Sequence, residues 1–364
     1  MSPLMLNQPW PLTIGDYLRK RLMPVEGVIP RLPGIDMYGQ TIPAAKVGGD
    51  LFEYINFEQR YNIEARIAQA QRLAKHYLDP LPLDATPRNE VDVHVRWLSS
   101  QEGYTEADAF QYRKAKSSEQ MRVAENLQEL LTTAGILVVD AQGHGIIAAK
   151  IASTVHDTLH ACMLSELDRS GTTAPSIFEQ LNLRLAQSAT ARNALDHAME
   201  MRAHEIATLL YGEIHPDGHF RFMNFGHPPP LVFSAKYQRF MEIGKARIAQ
   251  FLPLGLEIPE DHPDRNRYSP VRLREHSISL SDVAEIMLMG RGDILFLYTD
   301  GLFDGSDERE RRRFEEIIGS CSRQSAKEIG KAVLNYAVMR DDELRRRGRE
   351  DEIDDKTAFM IKFA

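Results

Sequence analysis

The chain has 364 residues, a formal net charge of −8 and 43% hydrophobic residues. This apolar content is enough for a sizeable core and excludes general disorder. Two cysteines, Cys162 and Cys321, are too few for a disulfide framework or a cysteine-rich zinc site. The arginine-rich stretches at 307–316 and 341–352 are interleaved with acids. A nucleic-acid surface keeps one sign of charge, so no nucleic-acid partner is expected.

Apolar runs along the chain are short. None approaches the roughly 18 to 20 residues of a membrane span, and the first twelve residues lack the basic start of a signal peptide. We therefore expect a soluble, cytoplasmic protein with no membrane partner.

The predicted elements alternate too irregularly for a parallel, doubly wound sheet. In chain order they are a helix at about 14–22, a strand at 35–41, a helix at 58–78, a strand in VDVHVRWL at 91–98, a charged helix at 105–131, a strand at 135–140, two helices from Gly145 to about 206, strands in ATLLYGEI, FRFMNF and PPLVFS, a strand from 294, a helix at about 310–340 and a final strand. Several strands follow one another without an intervening helix, which favours antiparallel sheets.

Acidic residues stand at the ends of four apolar, strand-like segments. Asp300 follows the run in ILFLYTDGLFDG, and Asp140 follows the run in ILVVDAQGHG. Asp50 opens the segment in VGGDLFEYI, and Asp354 and Asp355 precede the run in EIDDKTAFMIKF. A single Asp-Gly pair after a strand is usually a turn, but four such ends need a common explanation.

A shared cation site is that explanation. Carboxylates brought together at strand ends, with glycines allowing close backbone approach, repel one another strongly unless a cation lies among them. Oxygen ligands without cysteine select hard ions, Mg²⁺ or Mn²⁺. Two such ions, about 3.5 to 4 Å apart, can activate a shared water and clamp a phosphoryl oxygen. The pattern therefore predicts in-line hydrolysis of a phosphate ester, with no covalent enzyme intermediate.

Two rival motifs are weaker. Residues 143–148, Gly-His-Gly-Ile-Ile-Ala, fit a dinucleotide fingerprint between a strand and a helix, but a second helix follows where a parallel strand is required. His156 and His160 have the i, i+4 spacing of a zinc pair. The sequence shows no third ligand beside them, so a satisfied helix face is the preferred interpretation.

Seven blocks in order resemble one known family: PAAKVGGDLFEYI, VVDAQGHGIIAAKIA, FEQLNLRLA, ATLLYGEIHPDGHFRFMNFGHPPPLVF, FLPLGLEI, GDILFLYTDGLFDG and DDKTAFMIKF. They are similar to the signature blocks of the metal-dependent Ser/Thr protein phosphatases (PPM, protein phosphatase 2C type), in the branch of stage II sporulation protein E (SpoIIE) and RsbU. The resemblance covers about 35–57 and 134–364. It implies an α+β fold with four α-β-β-α layers, two antiparallel sheets flanked by helices, and a binuclear site at one edge.

The resemblance also implies a set of site residues. By motif, the metal ligands are Asp50, Asp140, Asp300 and Asp354, with the backbone carbonyl of Ala141 as a further candidate. These aspartates would act in catalysis through a metal-activated water. Asp355 is expected to be an outer or solvated neighbour. His144 is a candidate proton donor to the leaving group, and orienting the loop backbone is the alternative. His227, in NFGHPPP, is expected to be structural.

The sequence departs from the family pattern in a few places. Glu53 stands where Asp is common, and Lys356 is polar where the pattern is usually apolar. The largest departure is a mainly helical insertion at about 58–133, which interrupts a phosphatase domain predicted over 35–364. Residues 1–34 are expected to form an N-terminal helix and linker. The insertion is a candidate for docking an activating partner, for forming a homodimer or for covering the site, and a purely structural role is equally open.

The predicted function is hydrolysis of phosphoserine or phosphothreonine in a protein with two Mn²⁺ or Mg²⁺ ions. The resemblance implies a STAS-type anti-anti-sigma factor as the phosphorylated substrate, in partner-switching control of transcription. The alternative is a binding or regulatory module that keeps the fold but has lost turnover.

Overall fold

The computed structural model describes residues 20, 23–82, 85–143, 145–195, 206–243, 248, 250–256, 283–288, 290–303 and 307–364, with the backbone alone over 186–195. The helix predicted at about 14–22 lies outside the described residues except for Lys20. Most of the loosely patterned segment at 234–292 also lies outside them.

Eleven strands and eight α-helices lie in the described part of the chain. The strands are β1 Ile35–Ile42, β2 Leu51–Asn56, β3 Ala134–Ala141, β4 Ala207–Ile214, β5 His219–Phe225, β6 Leu231–Ser234, β7 Arg239–Met241, β8 Gln250–Phe251, β9 Ala284–Met287, β10 Ile294–Tyr298 and β11 Lys356–Phe363. The helices are α1 Phe57–Tyr61, α2 Ile63–Leu78, α3 Glu90–Ser99, α4 Glu106–Leu130, α5 Gly145–Ser170, α6 Ser176–Leu195, α7 Glu308–Cys321 and α8 Ala326–Arg346.

The strands form two sheets. One has the order β1-β11-β10-β6-β7, and the other has the order β2-β3-β4-β5-β8 with β9 also paired to β5. All described pairs of strands are antiparallel except the short β5–β8 pair, which is parallel. The predicted antiparallel architecture is confirmed, since both sheets are built mainly from neighbours that run in opposite directions.

The two sheets face each other across an apolar layer. Strand alternation places Phe52 of β2, Val138 of β3, Leu297 of β10 and Phe359 of β11 in this shared cluster. A second cluster lies between the β2–β3–β4 sheet and helices α5 and α6, and a third lies between the other sheet and helices α7 and α8. These layers make the predicted α-β-β-α sandwich, and the fold class is confirmed.

Helices α1 to α4 occupy the segment where the sequence predicts an insertion. The C-terminal part of α4 buries Val123, Leu127 and Leu130 in the same cluster as α5 and strand β3. Ile63 of α2 joins that cluster. The far end of the segment has its own small core, centred on Tyr77, Val91 and Val95. The segment is therefore anchored in the main core at one end.

Two predicted elements were wrong in detail. VDVHVRWL is helix α3 because Val91 and Val95 are also i, i+4 neighbours, and Asn89 caps the helix by accepting from the Asp92 backbone N–H. The intervening Val93 is 57% exposed, so the alternation in sequence is not an alternation in burial. The helix predicted at about 310–340 is two helices, because Ser325 forms a capping box that starts α8.

Candidate active site

The four predicted aspartates meet at one end of the sandwich. In the second sheet, Leu51 pairs with Val139, so the antiparallel register sets Asp50 opposite Asp140. In the first sheet, Asp300 follows β10 and Asp354 lies two residues before β11, its antiparallel partner. Each sheet thus contributes two carboxylates to the same place.

The electrostatics show that these carboxylates interact. Burial, followed by the charges of Asp50 and Asp300 and a hydrogen bond with Asp300, raises the pKa of Asp140. Burial also raises the pKa of Asp50, and the charges of Asp355 and Asp354 raise it further. Hydrogen bonds from two threonine hydroxyls lower this pKa but do not offset the increase. Burial raises the pKa of Asp354, with the charges of Asp355 and Asp300 contributing. Each of these shifts disfavours the ionised form, so the metal-free cluster stores repulsion.

Asp50 is the buried member and is held by hydroxyls of the opposite sheet. Its carboxylate oxygen Oδ2 accepts from Thr299 Oγ1 at 2.6 Å and from Thr357 Oγ1 at 2.8 Å. Thr299 Oγ1 also accepts from the Thr357 backbone N–H at 2.9 Å. Asp50 is 2% exposed, and these bonds tie it across the gap between the two sheets.

Thr299 and Thr357 are site residues that the sequence reasoning missed. Both lie inside motifs already recognised, Thr-Asp-Gly and Asp-Asp-x-Thr, and only the acids were selected. The available signal was position, because a hydroxyl one residue before Asp300 on a buried strand has to satisfy its hydrogen bonds inside the fold.

Asp355 was expected to be either an outer neighbour of the ligands or a solvated residue, and its burial excludes the second alternative. It is 3% exposed, and its carboxylate accepts from the backbone N–H groups of Ala44 at 2.7 Å and Gly49 at 2.6 Å. A Cβ on Gly48 would lie 2.3 Å from this carboxylate, so only glycine fits there. Asp355 therefore positions the loop that carries Asp50.

Two other predicted site residues have different outcomes. The Ala141 carbonyl oxygen lies beside the Gly49 backbone, where an added Cβ would be 2.7 Å away, so this oxygen borders the Asp50 loop. His144 lies outside the described residues. Its role remains the one expected from the sequence.

His227 is placed within the fold, away from solvent. Its Nδ1 pairs with Thr208 Oγ1 at 2.8 Å, and its backbone N–H and C=O both bond the Asn224 side chain. Burial lowers the pKa of His227 to about 3. A neutral histidine with these bonds ties down the end of β5.

Asp140→Asn is expected to stabilise the metal-free protein at alkaline pH. The raised pKa values of Asp140 and Asp50 contribute stability that is complete below about pH 4, the ordinary value in the unfolded chain, and is lost as the pH rises through the folded values. Asparagine removes one charge from the cluster. We expect a gain of about 1 to 2 kcal/mol at pH 8 and little change at pH 5, after allowance for the partial exposure of Asp140.

Thermal unfolding in a chelator at the two pH values measures this effect. Glu102→Gln, an exposed acid in a turn, is the matched control. Equal melting temperatures for wild type and Asp140→Asn at pH 8 would contradict the stored repulsion.

The comparisons with known proteins agree with the sequence blocks. Residues 132–270 match the family model described as stage II sporulation protein E (SpoIIE). No curated protein sequence matches the chain.

Solved structures give further matches at low sequence identity. The RsbU and RsbW domains of Rv1364c from Mycobacterium tuberculosis are 16% identical, with a TM-score of 0.46 over 92% of this chain and 61% of that chain. The PP2C phosphatase domain and regulatory fragment of SpoIIE from Bacillus subtilis is 13% identical, with a TM-score of 0.47 over 92% and 64%. The SiaA-PP2C domain of Pseudomonas aeruginosa is 13% identical, with a TM-score of 0.43 over 90% and 86%.

The chain spans less than two thirds of the length of the first two of these structures. Among the described residues, no helix has the length and apolar character needed to span a membrane. The match of residues 132–270 to the family model of stage II sporulation protein E includes the Asp140 block and confirms the resemblance to this branch of the PPM phosphatases.

Proposed function

We propose that the chain is a metal-dependent protein phosphatase that hydrolyses phosphoserine or phosphothreonine in a protein. The observation that supports this most strongly is the convergence of Asp50, Asp140, Asp300 and Asp354 at one end of the two sheets, where burial and neighbouring carboxylates raise the pKa values of Asp50, Asp140 and Asp354. Carboxylates in such a cluster are stabilised by a bound cation more than by any neutral partner.

The residues present fit hard divalent ions. The donor atoms are carboxylate oxygens and the neighbouring Ala141 carbonyl, which suit Mn²⁺ or Mg²⁺. Asp50 uses the single oxygen Oδ2 for both threonine bonds, which leaves Oδ1 for a cation. We propose Asp50, Asp140, Asp300 and Asp354 as the ligands of two ions.

The protein groups have separate tasks. The bound ions would supply Lewis-acid activation of water and charge neutralisation at the phosphoryl group. Thr299 and Thr357 orient Asp50, and Asp355 holds the loop 44–49 through two backbone N–H groups. Asp300 and Asp354 are exposed, so the cluster is open to a phosphorylated side chain of another protein. His144 is proposed as a proton donor to the leaving group.

The proposed substrate is a phosphorylated STAS-type anti-anti-sigma factor in a partner-switching system, in the cytoplasm. The support is the match of residues 132–270 to the SpoIIE family model. We further propose that an activating partner or a second copy of the chain docks on the helix predicted at about 14–22 or on helices α1 to α4. The domain boundaries, 1–34 for the linker and 35–364 for the interrupted phosphatase domain, are proposed on the same grounds.

Hydrolysis of p-nitrophenyl phosphate tests the activity. We expect turnover with added Mn²⁺, no turnover in a chelator, and no turnover from Asp300→Asn at any Mn²⁺ concentration. Mn²⁺ binding by calorimetry, measured on the same samples, separates the two functions considered. Metal binding without hydrolysis by the wild type would favour the silent regulatory module.

A further inference from the structure

A second group of metal-ligating side chains lies away from the aspartate cluster. Glu53 of β2 and His156 and His160 of α5 bring one ligand atom each within 4.8 Å of one another, and they are the only such group of three among the described residues. The sequence pattern suggested that the histidine pair lacks a third ligand. The structure supplies a third potential ligand, Glu53, from a strand about a hundred residues earlier.

The local geometry explains how the three meet. Leu51 and Ile55 of β2 belong to the apolar cluster under α5, and strand alternation puts Glu53 on the same face. His156 and His160 are one helical turn apart, so both rings project toward that face. The Glu53 oxygen Oε2 lies 3.0 Å from His156 Nε2 and 2.6 Å from His160 Nε2.

The outer ring nitrogens of both histidines have partners. His156 Nδ1 lies 3.0 Å from the Asp157 carboxylate, and His160 Nδ1 contacts the Tyr61 hydroxyl. Carboxylates lie at both ring nitrogens of His156, Asp157 at Nδ1 and Glu53 at Nε2, and a neutral histidine donates from only one nitrogen. When Nδ1 donates to Asp157, the Nε2 lone pair faces Glu53 and can bind a cation. That is the arrangement of a metal-bound histidine, whose second nitrogen donates to a carboxylate.

The carboxylate is ionised over the physiological range. Burial alone raises the pKa of Glu53, but hydrogen bonds and charges from His156 and His160 outweigh it and lower the pKa to about 2. Burial lowers the pKa of His160, which favours its neutral form. The group thus places one carboxylate between two histidine rings inside the fold.

One charged neighbour competes for the same space. Arg60, at the end of α1, places Nη1 3.7 Å from Glu53 Oε1 and Nη2 3.3 Å from His156 Nε2. Its side chain is 39% exposed, so it can turn outward to solvent. A cation would replace the guanidinium as the positive partner of Glu53.

We propose that Glu53, His156 and His160 form a second metal site, which takes a borderline transition metal such as Zn²⁺. Two imidazoles and one carboxylate are an established ligand set for zinc. Metal–ligand bonds of about 2.0 to 2.2 Å put neighbouring ligand atoms about 3.3 Å apart. Metal binding would therefore require a side-chain rotation that separates Glu53 Oε2 from His160 Nε2, which now lie 2.6 Å apart. The ion would clamp helix α5 to strand β2. Its imidazole nitrogen donors select a different metal from the all-oxygen aspartate cluster, so this site does not depend on the proposed phosphatase ions.

Metal titration of a variant chain tests the site. A protein carrying Asp50→Asn and Asp300→Asn removes two carboxylates of the other cluster and serves as the background. We expect this background to bind one Co²⁺ with the visible absorption bands of a four- or five-coordinate nitrogen site, and to exchange it for one Zn²⁺. Absence of these bands at saturating Co²⁺ would overturn the proposal.

Three further variants identify the ligands. Glu53→Gln and His160→Gln are each expected to weaken Co²⁺ binding by more than about 100-fold, beyond the roughly 10- to 100-fold effect of losing an outer partner. His76→Gln, a half-exposed histidine of α2, is the matched control and should bind Co²⁺ as the background does. Unchanged bands in His160→Gln would also overturn the site.

Arg60→Gln keeps the test decisive if a ligand variant does not fold. Removal of the competing guanidinium is expected to tighten Co²⁺ binding by about tenfold. The guanidinium is a positive charge within 4 Å of the Glu53 carboxylate, and it repels the metal ion. A hydrogen-bonded ion-pair network without a metal site would show no tightening. That result would count against the proposal.

Discussion

Asp50→Asn is expected to lower turnover of p-nitrophenyl phosphate by about 10³-fold at saturating Mn²⁺, a loss of about 4 kcal/mol in transition-state stabilisation. Asp50 is the buried carboxylate of the cluster, and it is fixed by two hydroxyl bonds to one oxygen. Asparagine keeps the size of the side chain and one acceptor oxygen but removes the charge that a cation needs.

Substitution of the hydroxyl partners should have a smaller effect. Thr299→Val removes a bond that orients Asp50 without removing a proposed ligand, so we expect about a tenfold loss and a higher Mn²⁺ requirement. Steady-state rates over a range of Mn²⁺ concentrations measure both variants, with Glu102→Gln as the control. An Asp50→Asn protein that keeps a tenth of the wild-type rate would contradict the ligand assignment.

The acidic residues of the candidate site could be predicted from the sequence because each lies in a short motif at the end of a strand. An apolar run that ends in Asp predicts both a buried strand and the place where its carboxylate emerges. The antiparallel registers Leu51–Val139 and Tyr298–Ala358 then bring these ends together in pairs. Convergence of the two pairs depends on how the sheets face each other, which a strand pattern alone does not contain.

The features that sequence analysis missed depend on long-range packing. Asp355 was expected to be an outer or solvated neighbour, and the sequence did not show that its oxygens are held by a loop more than 300 residues away in sequence. Glu53 became the third partner of the histidine pair only when β2 lay beneath α5. Helix α3 was mistaken for a strand because alternation and i, i+4 spacing share the positions Val91 and Val95.

Lys356 also departed from the apolar pattern of its strand, and the structure supplies the reason. It is 1% exposed, and its Nζ lies 2.7 Å from Asp341 Oδ2 on helix α8. The same Nζ donates to the Asp354 backbone carbonyl at 2.5 Å. The buried ion pair therefore joins α8 to the corner that carries two of the site acids.

Lys356→Met is expected to lower the free energy of unfolding by about 3 to 5 kcal/mol, because it leaves Asp341 buried without its cation. The Asp354 corner also loses a donor, so Mn²⁺ binding should weaken in the same variant. Denaturant unfolding and calorimetric titration measure the two effects.

The double variant Lys356→Met with Asp341→Leu distinguishes the role of the Lys356–Asp341 ion pair in stability from the role of Lys356 in positioning Asp354. Replacing both charges with apolar groups of similar volume is often neutral for stability, so most of the lost free energy should return. Mn²⁺ binding should stay weak, since the donor to the Asp354 carbonyl is still missing. If stability does not recover, Lys356 contributes through packing that methionine cannot replace. If Mn²⁺ binding recovers together with stability, the position of Asp354 depends on the packing of helix α8 and not on the hydrogen bond from Lys356.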